Sequence, residues 1–264
     1  MKLIDIGANL TNKRFDNDLN LVLERSKSEH VSHIIITGTS VKGSQAAWQL
    51  CQQDTHYLSA TAGVHPHDAK SWTNESEHHL RALLNHPEVV AVGECGLDYN
   101  RDFSPRDQQL TCFEAQLKLA TELDKPLFLH QRDAHTPFFE LLKKYRSKLS
   151  GAVVHCFTGS LEEMEAYVAL DCHIGITGWL CDKNRGNELR EIVKHIPLEK
   201  LMIETDAPYL TPQNLKPKPK GNRNEPAYLK TVLNALAEIL NIQEETLAKT
   251  IHETSHEFFN LKDR

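Results

Sequence analysis

The chain has 264 residues, 40% of them apolar and 25% charged, with a formal charge of −6. This is the balance of a soluble globular protein, and it excludes a disordered, collagenous or disulfide-scaffold chain. A net acidic chain carries no general coat for nucleic acid or membrane, so an anionic partner must be held by a local patch.

At about 150 residues per domain the length permits two domains, or one α/β barrel of about 250. In chain order, β-rich runs fall at residues 2–9 (KLIDIGAN), 33–39 (HIIITGT), 58–65 (LSATAGVH) and 89–97 (VVAVGECGL). Four more follow at 126–130 (PLFLH), 151–157 (GAVVHCF), 173–178 (HIGITG) and 201–206 (LMIETD). Several are nearly continuous apolar runs, as expected of parallel strands covered on both faces. Helical patterns lie between them, over roughly 16–30, 42–53, 75–86, 134–147, 186–195, 226–240 and 243–259. Ser104-Pro105-Arg106-Asp107 predicts a further helix with Ser104 as cap and Pro105 at its first position, burying Leu110, Phe113, Leu117 and Ala120. Ser160 opens another helix in the same way. Eight βα units predict one (β/α)8 TIM barrel over residues 1–264. A doubly wound sheet is the alternative, but no G-x-G-x-x-G follows the first strand.

Six cysteines, at 51, 95, 112, 156, 172 and 181, include no C-x-x-C pair, and most sit in apolar stretches. The N-terminal MKLIDIGANL lacks the apolar core of a signal peptide, and no run approaches the ~18 residues of a membrane span. The expectation is a reduced, cytoplasmic protein.

Fifteen histidines are many for this length, and several fall at strand ends. The polar strand-end residues are Asn9, Thr37 or Thr39, His65, Glu94, His130, His155, Thr177 and Asp206. In a barrel these ends converge on one mouth. A lone strand-end histidine is usually structural, but several in the same structural position point to a site. Glu94, His130, His155 and Asp206 are expected to hold one divalent ion, able to polarise a phosphoryl or carbonyl oxygen and to activate water. Imidazoles favour Zn, Mn, Fe or Ni, whereas Mg prefers oxygen and water. Glu204, two residues before Asp206, is expected deeper in the barrel, to orient a ligand or act as base. His65 is the candidate for protonating a leaving oxygen or contacting phosphate, with His67 read as a surface residue. Arg132 and Asp133 are near enough to His130 to reach the mouth, and Asp133 could equally start a helix. Residues 211–225, TPQNLKPKPKGNRNE, form a proline-rich loop that Lys216, Lys218, Lys220 and Arg223 make basic. It reads either as a solvated linker or, by its place after the eighth strand, as a phosphate-holding loop. Tyr99, Phe103, Trp179 and Tyr209 are candidates for stacking bases, although packing alone would explain each.

The segments DIGANLT, ITGTS, TAGVHPHD, GECGLDYNRDFSP, PLFLHQRDAH, VVHCFTGS, IGITGW, ETDAPYL and RNEPAYL resemble the TatD-family metal-dependent nucleases over nearly the whole chain. The resemblance implies a TIM-barrel hydrolase of the amidohydrolase-like superfamily. It implies Glu94, His130, His155 and Asp206 as metal ligands, and His65 and Glu204 as residues associated with catalysis. Many relatives carry D-x-H-x-H on the first strand, where this chain has Asp5-Ile6-Gly7-Ala8-Asn9. Both histidines that would serve a second ion are missing, and Asn9 offers a neutral carbonyl or a contact to substrate. The same reading looks like the bacterial TatD branch, similar to Mg-dependent 3′–5′ exonucleases of single-stranded DNA and RNA. That branch implies Mg2+, while the imidazoles keep Mn2+ or Zn2+ as alternatives; a monomer without an obligate protein partner is expected. A role in DNA repair or RNA turnover would follow from the family alone. Two rival readings are a metal-dependent hydrolase of esters or amides, such as aminoacyl-tRNA ends, and a non-catalytic binding or scaffold protein.

Overall fold

All eight expected strands form in the computed structural model, which describes residues 1–262. They are β1 (Leu3–Ala8), β2 (Val31–Ile36), β3 (Leu58–Ala62), β4 (Val89–Asp98), β5 (Leu127–Arg132), β6 (Ala152–Val154), β7 (His173–Ile176) and β8 (Leu201–Ile203). Every neighbouring pair is parallel and the strands lie in chain order. The ring closes through a parallel bridge between Ala8 and Ala207, with Asn9 N donating to Ala207 O (2.7 Å) and Asp206 N to Gly7 O (2.9 Å). The result is a TIM barrel, with α1 (Leu19–Ser28), α2 (Val41–Cys51), α3 (Asn74–Leu84), α4 (Arg106–Leu123), α5 (His135–Tyr145), α6 (Leu161–Ala169), α7 (Asn187–Ile192), α8 (Leu229–Leu240) and α9 (Glu244–Phe258) between and after the strands. None of the described helices is long and apolar enough to cross a membrane.

Side-chain alternation along the strands sorts the core into two sets. Ile4, Ile6, Ile35, Val90, Phe128, Val153 and Met202 fill the barrel, and Phe259 and Leu261 after α9 pack against them. A second, larger set lies between strands and helices and includes Phe113, Leu117 and Ala120 of α4, with Leu110 partly buried beside them. Truncating a fully packed ring such as Phe128 to alanine costs about 3–5 kcal/mol.

Two details differ from expectation. Ser104 does not cap α4. Pro105 takes the capping position with extended φ/ψ (−53°, 141°), which leaves Ser104 outside the helix. Ser104 is instead buried, donating to His67 O (2.8 Å) and accepting from Lys70 N (3.1 Å), and so fastens the turn after β3. Asp133 does not start α5 either. Ala134 precedes the helix, and Asp133, at φ +52°, accepts from Asn100 Nδ2 at 2.7 Å.

One feature of β4 positions the site. Gly93 (φ +142°) and Gly96 (φ +144°) lie where L side chains are rarely tolerated, and a Cβ on either would collide with Phe128 O or His130 O of β5. Their bareness lets the two strands press together. The register shifts between Gly93 and Cys95, so Glu94 leaves the β5 ladder, and its amide donates to Gly38 O at 2.7 Å instead. Bulges of this kind re-aim a side chain.

Candidate metal and active site

At the C-terminal end of the strands opens a cavity of about 530 Å³. Asn9, Thr37, Thr39, His65, Glu94, His130, His155 and Asp206 line it, which is the expected ring of strand-end residues apart from Thr177. Thr177 is buried elsewhere, where its hydroxyl accepts from Trp179 N (3.2 Å) to cap the short turn after β7.

Glu94 stands at the centre. Its Oε1 is faced by His65 Nε2 (3.2 Å), His130 Nδ1 (3.1 Å) and His155 Nε2 (2.8 Å). Burial by itself raises the Glu94 carboxyl, but the imidazoles of His65, His155 and His130 gathered on it outweigh that and hold the group well below the usual carboxylate range. One oxygen with two lone pairs cannot serve three N–H donors well. Among the described residues His130 Nε2 is buried without a hydrogen bond, with Asp98 Oδ2 3.3 Å away. His65, Glu94 and His130 each offer a ligand atom, all within 4.8 Å of one another. Crowded imidazole nitrogens, a carboxylate and an orphaned ring nitrogen make a donor set that fits a divalent ion.

Behind this cluster lies Glu204, fully buried. Its Oε2 is 3.2 Å from His155 Nδ1, and its Oε1 accepts the Cys156 amide at 2.6 Å. A carboxylate backing one ring nitrogen is how proteins aim the other at a metal. Burial lowers the His155 pKa, but the flanking charges of Glu204 and Glu94 overcome that and carry it well above its ordinary value. Asp206, at φ +52°, accepts from Asn9 Nδ2 at 2.8 Å. Burial raises its carboxyl to about 7, the charges of Glu94 and Glu204 adding to the shift while His155 opposes it.

The family model described as TatD related DNase matches residues 4–260. This chain belongs to that family. It is 50% identical over 248 residues to the protein named 3′-5′ ssDNA/RNA exonuclease TatD of Escherichia fergusonii, covering 94% of this chain and 95% of that one. To the protein of the same name in Pantoea vagans it is 46% identical over 259 residues, 98% of this chain and all of that one. Among solved structures, the TatD-family hydrolase of Entamoeba histolytica superposes with a TM-score of 0.90 at 29% identity, covering 99% of both chains.

In this member of the TatD DNase family, several site residues escaped the sequence reading. Asp98 is 3% exposed, lines the cavity and accepts from His67 Nε2 at 2.7 Å. Burial raises its carboxyl, but the nearby His130 ring, the bond from His67 and the Arg101 amide more than reverse this and hold it far below the usual carboxylate range. His67, expected at the surface, is half-buried in this pair, and its amide donates to His65 Nδ1 at 3.1 Å. Asp98 follows GECG in the next inward register, the one sequence signal that could have exposed it. Asp5 is fully buried on the other side of β1, accepting Thr205 N (2.9 Å), Thr205 Oγ1 (2.6 Å) and Gly7 N (3.3 Å). Burial lifts its carboxyl to about 8. It clamps the residue between Glu204 and Asp206.

A Cβ on Gly7 would strike Glu204 Oε2 and come 2.8 Å from Phe128 Cζ. The basic loop lies beyond the mouth. Lys218 lines a neighbouring cavity and Lys220 another, while Lys216 is exposed and lines none of these. Arg223 is fully engaged by Asp18 (2.7 Å from each terminal nitrogen) and Arg14 O (2.7 Å). That geometry makes Arg223 a tie between loop and α1, in place of the substrate contact expected of it. Arg132 donates to Thr158 Oγ1 at 2.6 Å. Of the aromatic candidates only Tyr209 lines the mouth, 50% exposed and accepting from Asn12 Nδ2 at 3.1 Å.

Proposed function

We propose that this protein is a metal-dependent 3′–5′ exonuclease hydrolysing phosphodiester bonds of single-stranded DNA and RNA. The observation that carries the reading is the meeting of His65, His130 and His155 on Glu94 in an open cavity at the mouth of a TatD-family barrel. The names of the relatives supply the substrate class and the polarity. The same chain is read as a cytoplasmic monomer without an obligate protein partner.

Glu94, His130, His155 and Asp206 would hold one divalent ion. We favour Mg2+, with Mn2+ or Zn2+ as alternatives, because Gly7 and Asn9 supply no imidazole and Glu204 and Phe128 leave no room for one at position 7. When bound, such an ion neutralises phosphoryl charge and lowers the pKa of water.

The chain's own groups divide the remaining work. His65 Nδ1 accepts the His67 amide, so its proton sits on Nε2, the nitrogen that faces the cavity cluster. Burial lowers its pKa to about 4, so at neutral pH it is an uncharged hydrogen-bond donor. That suits clamping a phosphate or leaving oxygen rather than delivering a proton from an imidazolium. Asp206, held by Asn9 at 2.8 Å, is placed to take the proton from the attacking water. Glu204 keeps His155 aimed and makes no contact with the cavity. Asn9 serves as positioning residue for Asp206.

The test is digestion of a 5′-labelled single-stranded DNA oligonucleotide by metal-stripped protein given Mg2+, Mn2+, Zn2+ or EDTA, beside a His155→Ala control. A ladder shortening from the 3′ end, dependent on metal and on His155, is expected. No ladder with any metal from a folded protein would overturn the reading.

A further inference from the structure

Beside the mouth, on the loops that follow β7 and β8, lies a second cavity of about 530 Å³ that the reaction above does not use. Tyr209 lines the mouth and its neighbour Leu210 lines this cavity, so the two adjoin along one stretch of chain. Its wall is built around Asp182, only 4% exposed. Asp182 accepts the amides of Asn184 and Arg185 (2.9 Å each), Arg185 Nε (2.9 Å) and Gln213 Nε2 (2.7 Å). Gln213 Oε1 in turn accepts from Lys183 N at 3.2 Å. Side chains thereby pin the two loops to each other.

The network holds the Arg185 guanidinium over an aromatic ring. Its guanidinium carbon lies 4.2 Å from the Trp179 ring centre, and Trp179 Nε1 donates to Arg185 O at 3.2 Å. The Arg185 side chain remains 61% exposed, so the cation is accessible to a ligand. Lys218 stands on the same wall, exposed, with no hydrogen bond or ion pair among the described residues. The lone carboxylate, Asp182, is already neutralised by Arg185. A fixed planar cation stacked on tryptophan, with an uncommitted ammonium nearby, matches a ligand that has a flat aromatic part and a negative charge. Bases stack on guanidinium planes as they do on aromatic rings, and the volume falls within the range of small-ligand pockets.

We propose that this cavity is a nucleotide subsite, stacking one base of the bound strand on the Arg185–Trp179 platform and pairing its phosphate with Lys218. The proposal rests on the exonuclease reading and deepens it. The subsite grips the strand away from the bond being cut, so it favours longer strands over dinucleotides. Stacking is tolerant of sequence, so the preference would be one of length.

The test compares wild-type, Arg185→Ala and Lys218→Ala proteins, full length and supplied with Mg2+, on dT2 and dT10. Wild type is expected to show a higher kcat/KM on dT10, and the dT10:dT2 ratio is expected to fall about tenfold in Arg185→Ala, as for loss of one stacked base. An unchanged ratio in the folded variant overturns the subsite. A second arm measures binding of fluorescently labelled dT10 by anisotropy in EDTA, where no turnover is needed. A Kd raised about tenfold by Arg185→Ala, and severalfold by Lys218→Ala, supports the subsite even if the wild-type protein cuts nothing. A Kd unmoved by Arg185→Ala sinks it and leaves the exonuclease reading standing.

Discussion

Glu204 and His155 form a buried pair in which the carboxylate meets Nδ1 at 3.2 Å, while the other ring nitrogen is turned to Glu94 at 2.8 Å. The order carboxylate, imidazole, carboxylate runs from the barrel interior to the cavity. Glu204→Gln keeps the shape and removes the charge. We expect divalent-ion affinity, read by calorimetry, to fall about 10- to 100-fold. Glu204→Ala should also lower the unfolding midpoint, because the Cys156 amide loses its acceptor. Ion affinity equal to wild type in Glu204→Gln would remove Glu204 from the metal's support.

Glu94 is the residue on which three imidazoles converge, so its loss should be the most damaging single change. Glu94→Ala is expected to abolish turnover and weaken metal binding. The readouts are kcat on a single-stranded oligonucleotide and a metal titration of the same preparation. Full activity in this variant would mean that the metal lies elsewhere.

Gly96 tests whether strand spacing builds the site. A methyl group there would strike His130 O, at a φ of +144° that alanine rarely adopts. Gly96→Ala is expected to destabilise the fold by about 1–3 kcal/mol through overpacking, on top of the backbone strain. Ion affinity should fall further than stability alone explains, since His130 is carried on the displaced strand. Chemical denaturation and metal titration on the same variant would check it.

The basic loop separates into residues of different use. Lys218→Ala with Lys220→Ala should raise KM more than it lowers kcat, and flatten the salt dependence of KM, since few phosphates are contacted. Arg223→Ala should instead lower the unfolding midpoint, because Asp18 loses its bidentate partner. Steady-state kinetics at two salt concentrations, together with melting curves, distinguishes the two behaviours.

Two histidines far from the mouth should make the fold less stable in acid. Burial lowers His33 and His173 to about 4 each. Near pH 6.5 and below, the unfolded chain takes up protons that the folded chain refuses. Their contribution is therefore fully present above pH 6.5 and lost as pH falls toward 4. His173 has a buried Nδ1 without a hydrogen bond among the described residues, and a ring edge-on to Phe258 at 4.8 Å. His173→Phe should narrow the loss of denaturation free energy between pH 7 and pH 5. An identical pH slope in wild type and variant would contradict the assignment.

How much of this was legible in the sequence can be read from particular residues. The eight strands stand in it because buried parallel strands must be apolar on both faces, which writes runs such as HIIITGT and LMIETD into the chain. Glu94, His130, His155 and Asp206 were legible because strand ends in a barrel share one mouth. Asp98 and His67 were not, since their pairing depends on how the turn after β3 folds against β4. Asp5 was hidden because a carboxylate in a strand reads as an exposed residue until its partner is known, and Thr205 lies 200 positions away. Arg223 looked like part of a basic patch, and only the packing of the loop on α1 gives it to Asp18. Trp179 stood out as a stacking candidate, but Asp182 and Arg185 are unremarkable as a sequence until Gln213 crosses from the next loop. Periodicity and local composition depend on neighbours in the chain, so the sequence by itself determined the barrel and the ring of strand-end residues at its mouth. Which side chain satisfies which depends on contacts between distant segments, and that only the tertiary structure decided.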